Sequence, residues 1–174
     1  LTISGSGQMI NWSDSNNLWR GNSIKEVIIQ GDIYNIGNYA FQDCYFLSSI
    51  TLPEGLINIG QFAFVDCFIF SINIPGNVTS IGNGAFLGCY KLTEITVDSD
   101  NKNYTAENGV LFDKNKTTIV CYPEGKTDTE YTISESVKSI SDYSFCNSKL
   151  TSIIIPENVT NIGEYAFCNS TKLE

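Results

Sequence analysis

The chain repeats itself, and the repeat restricts its fold more than any other feature. Ile50-Thr-Leu-Pro-Glu-Gly-Leu-Ile-Asn-Ile-Gly-Gln-Phe-Ala-Phe64 recurs as Ile72-Asn-Ile-Pro-Gly-Asn-Val-Thr-Ser-Ile-Gly-Asn-Gly-Ala-Phe86. It recurs again as Ile153-Ile-Ile-Pro-Glu-Asn-Val-Thr-Asn-Ile-Gly-Glu-Tyr-Ala-Phe167. An earlier copy runs from Val27 to Phe41, and a divergent one from Tyr131 to Phe145. Phe41, Phe64 and Phe86 are 23 and 22 residues apart, and Phe145 and Phe167 are again 22 apart. A period of this size marks a stack of small structural units, none of which can bury its own apolar face.

Each unit reads as a strand, a stop, a second extended stretch and a turn. In Leu47-Ser-Ser-Ile50-Thr-Leu52-Pro53 apolar residues alternate with small polar ones, the period-2 pattern of a half-buried strand, and Pro53 removes a donor and ends it. Leu56 and Ile59 continue inward, Gly60 turns the chain, and the segment around Ala63-Phe64 suits one helical or 3₁₀ turn. Ile50, Leu52, Leu56, Ile59, Ala63 and Phe64 are therefore expected to stack on their counterparts in neighbouring units. The expected fold is an α/β solenoid of 22–23-residue coils, with short parallel strands and short helical or 3₁₀ turns.

One interval breaks the period, since Ile95 and Tyr131 are 36 residues apart. Within it Gly109-Val-Leu-Phe-Asp-Lys-Asn-Lys-Thr-Thr-Ile-Val-Cys-Tyr-Pro123 reads as two strands around a turn at Asp113–Lys116. The expected organisation is a cap over residues 1–23 and a solenoid over 24–174, with a hairpin inserted at about 98–123. The hairpin would project from the solenoid or widen one of its edges.

The pattern Leu-x-x-Ile-x-Ile-Pro followed by Val-Thr-x-Ile-Gly-x-x-Ala-Phe-x-x-Cys resembles the BspA-like leucine-rich repeats of bacterial and protist surface proteins, over roughly residues 24 to 174. The opening Leu1–Met9 segment, with Trp12 and Trp19 after it, is similar to the stretch that precedes the first repeat in that family, and it would close the first coil. An exposed aromatic patch is the other reading of the two tryptophans. The resemblance implies a non-enzymatic, secreted or cell-surface protein that recognises a protein or glycan ligand on another cell or matrix. The alternative it leaves is a structural spacer in a longer repeat protein.

Composition agrees with a contact scaffold. The 174 residues carry 10 Lys+Arg against 19 Asp+Glu, a net charge of −9, with the cations scattered singly. That balance disfavours any partner held through phosphates, so nucleic acid and anionic membrane surfaces are not expected. With 42% apolar and 12% aromatic residues the chain has the material for a core. No stretch approaches the ~18 apolar residues that span a bilayer, and no secretory leader is recognisable, so this segment is expected to be soluble. The sequence contains 0 histidines, which removes Ser-His-Asp and Cys-His nucleophile pairs and the commonest zinc ligand sets. Nothing nominates a pair of catalytic carboxylates, and there is no phosphate-binding glycine loop. No catalytic residue, cofactor or metal site is therefore expected. Asp98-Ser-Asp100-Asn-Lys102-Asn imitates a calcium loop but has Lys102 where an oxygen ligand is required, and reads as a solvated turn.

Six cysteines raise the question of disulfides. Cys44, Cys67 and Cys89 each fall three residues after a repeat phenylalanine, in a column continued by Ser148 and Ser170, which favours small buried side chains and free thiols. Cys146 and Cys168 follow Phe145 and Phe167 directly and, as neighbours on successive coils, are the disulfide candidate. Asn-x-Ser/Thr occurs at several positions, but Asn-Val-Thr belongs to the repeat itself and carries little information.

A parallel ladder presents one column inward and the next outward. The outward column is expected to be Ile28, Thr51, Asn73, Thr96, Thr132 and Ile154, with a second exposed column through Glu26, Ser49, Ser71, Glu94, Glu130 and Ser152. Of these, the first column with Glu94 and Glu130 are the candidate protein-binding residues, together with the insertion. Leu173 comes just before another strand should start, so one core edge is expected to be uncovered. That edge would suit a further unit or a homodimer contact.

Overall fold

In a computed structural model the chain is a stack of coils, described for residues 1–12 and 18–174; residues 13–17 of the expected cap lie outside the described residues. Each coil places one strand on a first face and a shorter one on a second. On the first face are β1 (Thr2–Gln8), β2 (Glu26–Ile36), β3 (Ser49–Thr51), β5 (Ser71–Ile74), β7 (Glu94–Val97), β11 (Glu130–Thr132) and β13 (Ser152–Ile154). On the second are the end of β2, then β4 (Asn58–Ile59), β6 (Ser80–Ile81), β10 (Thr118–Cys121), β12 (Ser139–Ile140) and β14 (Asn161–Ile162). Pairing between coils is parallel and in register by repeat position, as in Val27 with Ile50, Ile72 with Ile95, and Tyr131 with Ile153. Pro53, Pro75 and Pro156 separate the two strands of their coils. Gln30 stands in the equivalent place in β2, which continues unbroken through both faces.

The N-terminal segment is itself part of the ladder. β1 pairs in parallel with β2 from Thr2 opposite Ile28 onward, and Trp12 and Trp19 are half-buried against the core. The tryptophans are packing residues rather than an exposed patch.

Among the described residues the return segments contain no helix, and the hydrogen bonds explain why. The amides of Ala40, Gln42 and Cys44 bond three residues back within the coil, to Gly37, Tyr39 and Phe41. The intervening amides of Tyr39, Phe41 and Asp43 bond along the stack, to the carbonyls of Gln61, Ala63 and Val65. A helix would need every amide for its own i→i−4 ladder. Here half are committed to the next coil, so the segment becomes a chain of consecutive turns. Those turns need left-handed backbone at two places per coil, filled by Tyr39 and Asp43 (φ 58° and 59°), Phe62 and Asp66 (54° and 58°), and Gly84 and Gly88 (63° and 74°). Left-handed aromatics are costly alone, and persist because both flanking hydrogen-bond sets over-determine them.

Close approach of coils also fixes a glycine at the second-strand exit. A Cβ on Gly60 would lie 2.5 Å from the Asn38 amide nitrogen and 2.6 Å from the Gly37 carbonyl carbon. No L side chain fits there without moving backbone.

The core is a column of rings flanked by aliphatic columns. Phe41, Phe64 and Phe86 stack nearly parallel at centroid spacings of 5.5 and 5.8 Å, and Tyr122, Phe145 and Phe167 do so at 5.1 and 5.2 Å. Leu56, Ile59, Ala63 and Phe64 are fully buried as expected, and Ile50 and Leu52 pack partly buried against them.

The long interval builds a three-stranded antiparallel sheet from β8 (Tyr104–Glu107), β9 (Val110–Asp113) and β10. β10 is also a ladder strand, pairing in parallel with β12, so the insertion is woven into the stack. The strand β8 escapes the sequence reading, although Asn108-Gly109, with φ of 51° and 80°, is the strongest short hairpin signal in the chain. The insertion parts the coils and leaves a cleft of about 260 Å³ between Ile81–Leu87 and Thr118–Tyr122. Three contacts bridge it. Asn83 Nδ2 donates to Asp142 Oδ2 at 2.6 Å, Phe62 meets Tyr143 edge-on at 5.4 Å, and Glu124 Oε1 accepts from Gly88 N–H at 2.6 Å and Asn147 Nδ2 at 3.1 Å. Gly84 makes the ring contact possible, because a Cβ there would collide with Phe62.

The calcium-like segment is not simply solvated. Asn101 is fully buried, its amide donating to the carbonyls of Pro75 and Val78 (2.8 and 3.1 Å) while its oxygen accepts from the amides of Asn103 and Tyr104 (2.8 Å each). It ties the start of the insertion to the preceding coil, which is why a side chain able both to donate and to accept stands there.

Candidate functional site

The outward columns lie on the first face, where strand pairing sets their spacing. Thr51, Asn73, Thr96, Thr132 and Ile154 are exposed, and Ile28 is half-buried between Thr2 and Thr51. Glu94 and Glu130 are exposed in the second column, opposite Ser71 and Ser152. The structure joins Ile28 to Thr51, Asn73 to Thr96, and Thr132 to Ile154. Strand pairing joins neither Thr51 to Asn73, where β3 only packs beside β5, nor Thr96 to Thr132, so the column is three paired tracts and not one. The free side of β7 meets the insertion, with Ile95 N–H donating to Gly109 O at 3.0 Å. A polar side-chain relay stiffens this end: Thr96 Oγ1 donates to Asn73 Oδ1 (2.9 Å), Asn73 Nδ2 donates to Asp98 Oδ1 (2.7 Å), and Asp98 Oδ2 accepts from Gly76 N–H (3.1 Å).

The cysteine column is buried and structural in its bonding. Cys67 and Cys89 each donate Sγ–H to a phenylalanine carbonyl of the preceding coil, Phe41 and Phe64, at 3.1 Å. Burial pushes both thiols well above their ordinary range and carries Cys121 to about 12. Thiols held this way are poor nucleophiles. In the same column Ser170 Oγ donates to Phe145 O at 2.8 Å and pairs with Ser148 Oγ at 3.0 Å. Cys146 and Cys168 are joined as a disulfide across successive coils, with Cα atoms 4.5 Å apart.

Asn-Val-Thr also has a structural use. Asn77 Nδ2 donates to Glu54 O and Asn158 Nδ2 to Glu135 O, both at 3.0 Å, one coil back.

One surface feature was missed at the sequence level. Immediately after Cys44, Cys67 and Cys89 the chain carries Tyr45, Phe46, Phe68, Phe70 and Tyr90, and the stack gathers them at one corner of three successive coils. Tyr45, Phe46, Phe70 and Tyr90 are 49–53% exposed. Phe68 stands between, edge-on to Phe70 and to Tyr90 at 5.4 Å each, and Lys91 Nζ lies 5.6 and 5.5 Å from the Phe68 and Tyr90 rings. The signal was available as aromatics four to six residues after Phe41, Phe64 and Phe86, where later units carry Lys149, Thr171 and Lys172, but alternation-based reading assigns such residues to the core.

Among the described residues no helix is long and apolar enough to cross a membrane. No curated protein matches the chain. Three solved structures are similar over most of its length. They are the pneumococcal vaccine antigen PcpA (29% identical, TM-score 0.83, 87% of this chain and 38% of that one), and a leucine-rich cell surface protein of Faecalibacterium prausnitzii (31%, 0.80, 87% and 40%). The third is a leucine-rich repeat protein of Eubacterium ventriosum (30%, 0.68, 99% and 66%). The chain thus spans between 38% and 66% of the length of these relatives. The BspA type leucine rich repeat region, in 6 copies, matches residues 15–127 and 121–174. With this repeat covering nearly the whole sequence and the coil geometry above, the chain belongs to the BspA type leucine-rich repeat family.

Proposed function

We infer that the protein is a non-enzymatic recognition module displayed at a cell surface, binding a protein or glycan ligand of another cell or of matrix in adhesion. The supporting observation is the Asn73–Thr96 end of the outward column. Its polar side chains are exposed yet already held by one another and by Asp98, so little side-chain entropy remains to be lost on contact. A relative named as a cell surface protein and another as a vaccine antigen agree with that location. The test is binding to immobilised matrix proteins and whole cells, with Thr51→Lys combined with Thr96→Lys as the variant. Loss of about tenfold or more in affinity at unchanged melting temperature is expected. Absence of any partner at micromolar protein, or binding indifferent to both substitutions, would overturn the reading.

A second reading is a spacer within a longer repeat array, whose next coil would cover the apolar side chains of the last one. Ile155 and Ile162 are 38% and 52% exposed, whereas Ile133 and Ile140, at the same positions one coil earlier, are 2% and 0% exposed. Appending one consensus coil should raise the melting temperature by covering these side chains. Dimerisation in sedimentation that blocks this gain would assign the edge to a second copy instead.

A further inference from the structure

The aromatic corner has no role in the core. Leu47, Ile69 and Leu92 are its fully buried neighbours in each coil and already meet the packing requirement. Tyr45, Phe46, Phe70 and Tyr90 are about half exposed around a shallow groove of about 600 Å³, with Phe68 as its floor. A contiguous exposed apolar surface of this kind marks a contact site. We propose that this groove binds a proline-rich protein segment in the polyproline II conformation, flanked by acidic residues.

Three features select that occupant. Proline rings pack on aromatic-lined grooves without requiring a free strand edge. Here the rings come from turns between the cysteines and the strands, where no unpaired ladder is offered. The second feature is periodicity. A polyproline II helix has three residues per turn and rises about 3.1 Å per residue, so one face returns every ~9.3 Å. Coils in a strand ladder are spaced ~4.8 Å apart, so two coil steps come to ~9.6 Å. A ligand lying along the stack axis would present the same face to Tyr45 and Phe46 and, two coils later, to Tyr90. The third is charge. Lys25 lines one side of the groove and Lys91 covers Phe68 and Tyr90 on the other, a local excess of cations in a chain of net charge −9. Two carboxylates lie nearby: Asp43, already engaged by Arg20 and by the Tyr45 hydroxyl, each at 2.8 Å, and half-buried Asp66 beside it, whose carboxyl is pushed above the ordinary range by burial and by Asp43. A ligand whose own flanks are acidic is complementary to this rim.

The experiment is fluorescence anisotropy with a labelled peptide carrying Pro-x-x-Pro between acidic residues. Controls are the same peptide with Gly for Pro, one with Lys flanks, and panels of neutral and acidic oligosaccharides. Phe46→Ser with Tyr90→Ser changes only half-exposed rings, and later units carry the polar residues Lys149, Thr171 and Lys172 at this corner. Saturable micromolar binding of the acidic proline peptide is expected, weakened about tenfold or more by the double serine variant. Lys91→Glu should shift preference toward the Lys-flanked peptide. Equal binding of the glycine peptide, binding of saccharides alone, or no binding with the fold intact by circular dichroism would overturn the assignment. The Thr51→Lys/Thr96→Lys variant should bind the peptide normally, so failure here and failure of the strand-face reading are separable.

Discussion

The coils before the insertion and those after it share one backbone plan and fill it differently. In the first set the column after each repeat phenylalanine is Cys44, Cys67 and Cys89; in the second it is Ser148 and Ser170. Thiol and hydroxyl make the same bond, to the phenylalanine carbonyl one coil back, at 3.1 Å from Cys67 and 2.8 Å from Ser170. Only the second set adds a covalent tie, Cys146 to Cys168, and only the first carries the corner formed by Tyr45, Phe46, Phe68, Phe70 and Tyr90. The comparison teaches that coil spacing and hydrogen-bond demand fix the size and donor character of a column position, while apolarity, crosslinking and surface chemistry are left free for each half.

The strongest way to break the comparison is to remove a stacked ring from each half. Phe64 is sandwiched between Phe41 and Phe86, so Phe64→Ala should cost about 3–5 kcal/mol in urea unfolding. Phe167 stacks on Phe145 and is not fully buried, so Phe167→Ala should cost roughly half as much. Equal costs would show that the two halves do not differ in burial as described.

Next in size is the crosslink. Cys146 and Cys168 are 22 residues apart, and closing a loop of that length in the unfolded chain is worth about 3 kcal/mol in the chain-entropy model. Replacing both by Ala should lower stability by about that amount, and reductant should then have no further effect. Alkylation followed by mass spectrometry should leave Cys67, Cys89 and Cys121 unlabelled until the chain unfolds, because burial holds their thiols protonated.

A smaller effect is expected on exchanging the halves' chemistry. Cys67→Ser keeps a donor to Phe41 O and loses some apolar burial, so a cost of about 1 kcal/mol is expected, measured by denaturant midpoint. Cys67→Asp, which brings charge into the column, should be far worse.

The smallest effect concerns Glu124 at the junction. Burial raises its carboxyl above the ordinary glutamate range, against the opposing pull of the Gly88 and Asn147 donors. Its protonated form therefore favours the folded state, fully so below the unfolded value, and that contribution fades as pH rises through the folded one. Glu124→Gln should melt slightly higher than wild type near neutral pH, and the gap should close as pH falls below the ordinary glutamate range. A gap that widened on acidification would reverse the assignment.

Much of the architecture could be read from residue order alone. The 22–23-residue period, the Pro stops, and the inward positions of Leu56, Ile59, Ala63 and Phe64 follow from side-chain alternation and from the inability of one unit to bury them unaided. So did the exposure of Thr51, Asn73, Thr96 and Thr132, because alternation assigns sides of a strand. The return segment did not follow, since a helix and a train of turns bury the same residues and differ in where alternate amides point. Asn101 read as solvated because its four partners lie on two coils.

The sequence by itself determined that these coils stack, and which side chains meet across them, because identical residues at a fixed period can share a dry interior in only one register. Tertiary structure alone decided where the outward column breaks and what the insertion pairs with. Those outcomes depend on which backbone groups the neighbouring coil leaves unsatisfied and on distances across the stack, and no local pattern along the chain encodes either.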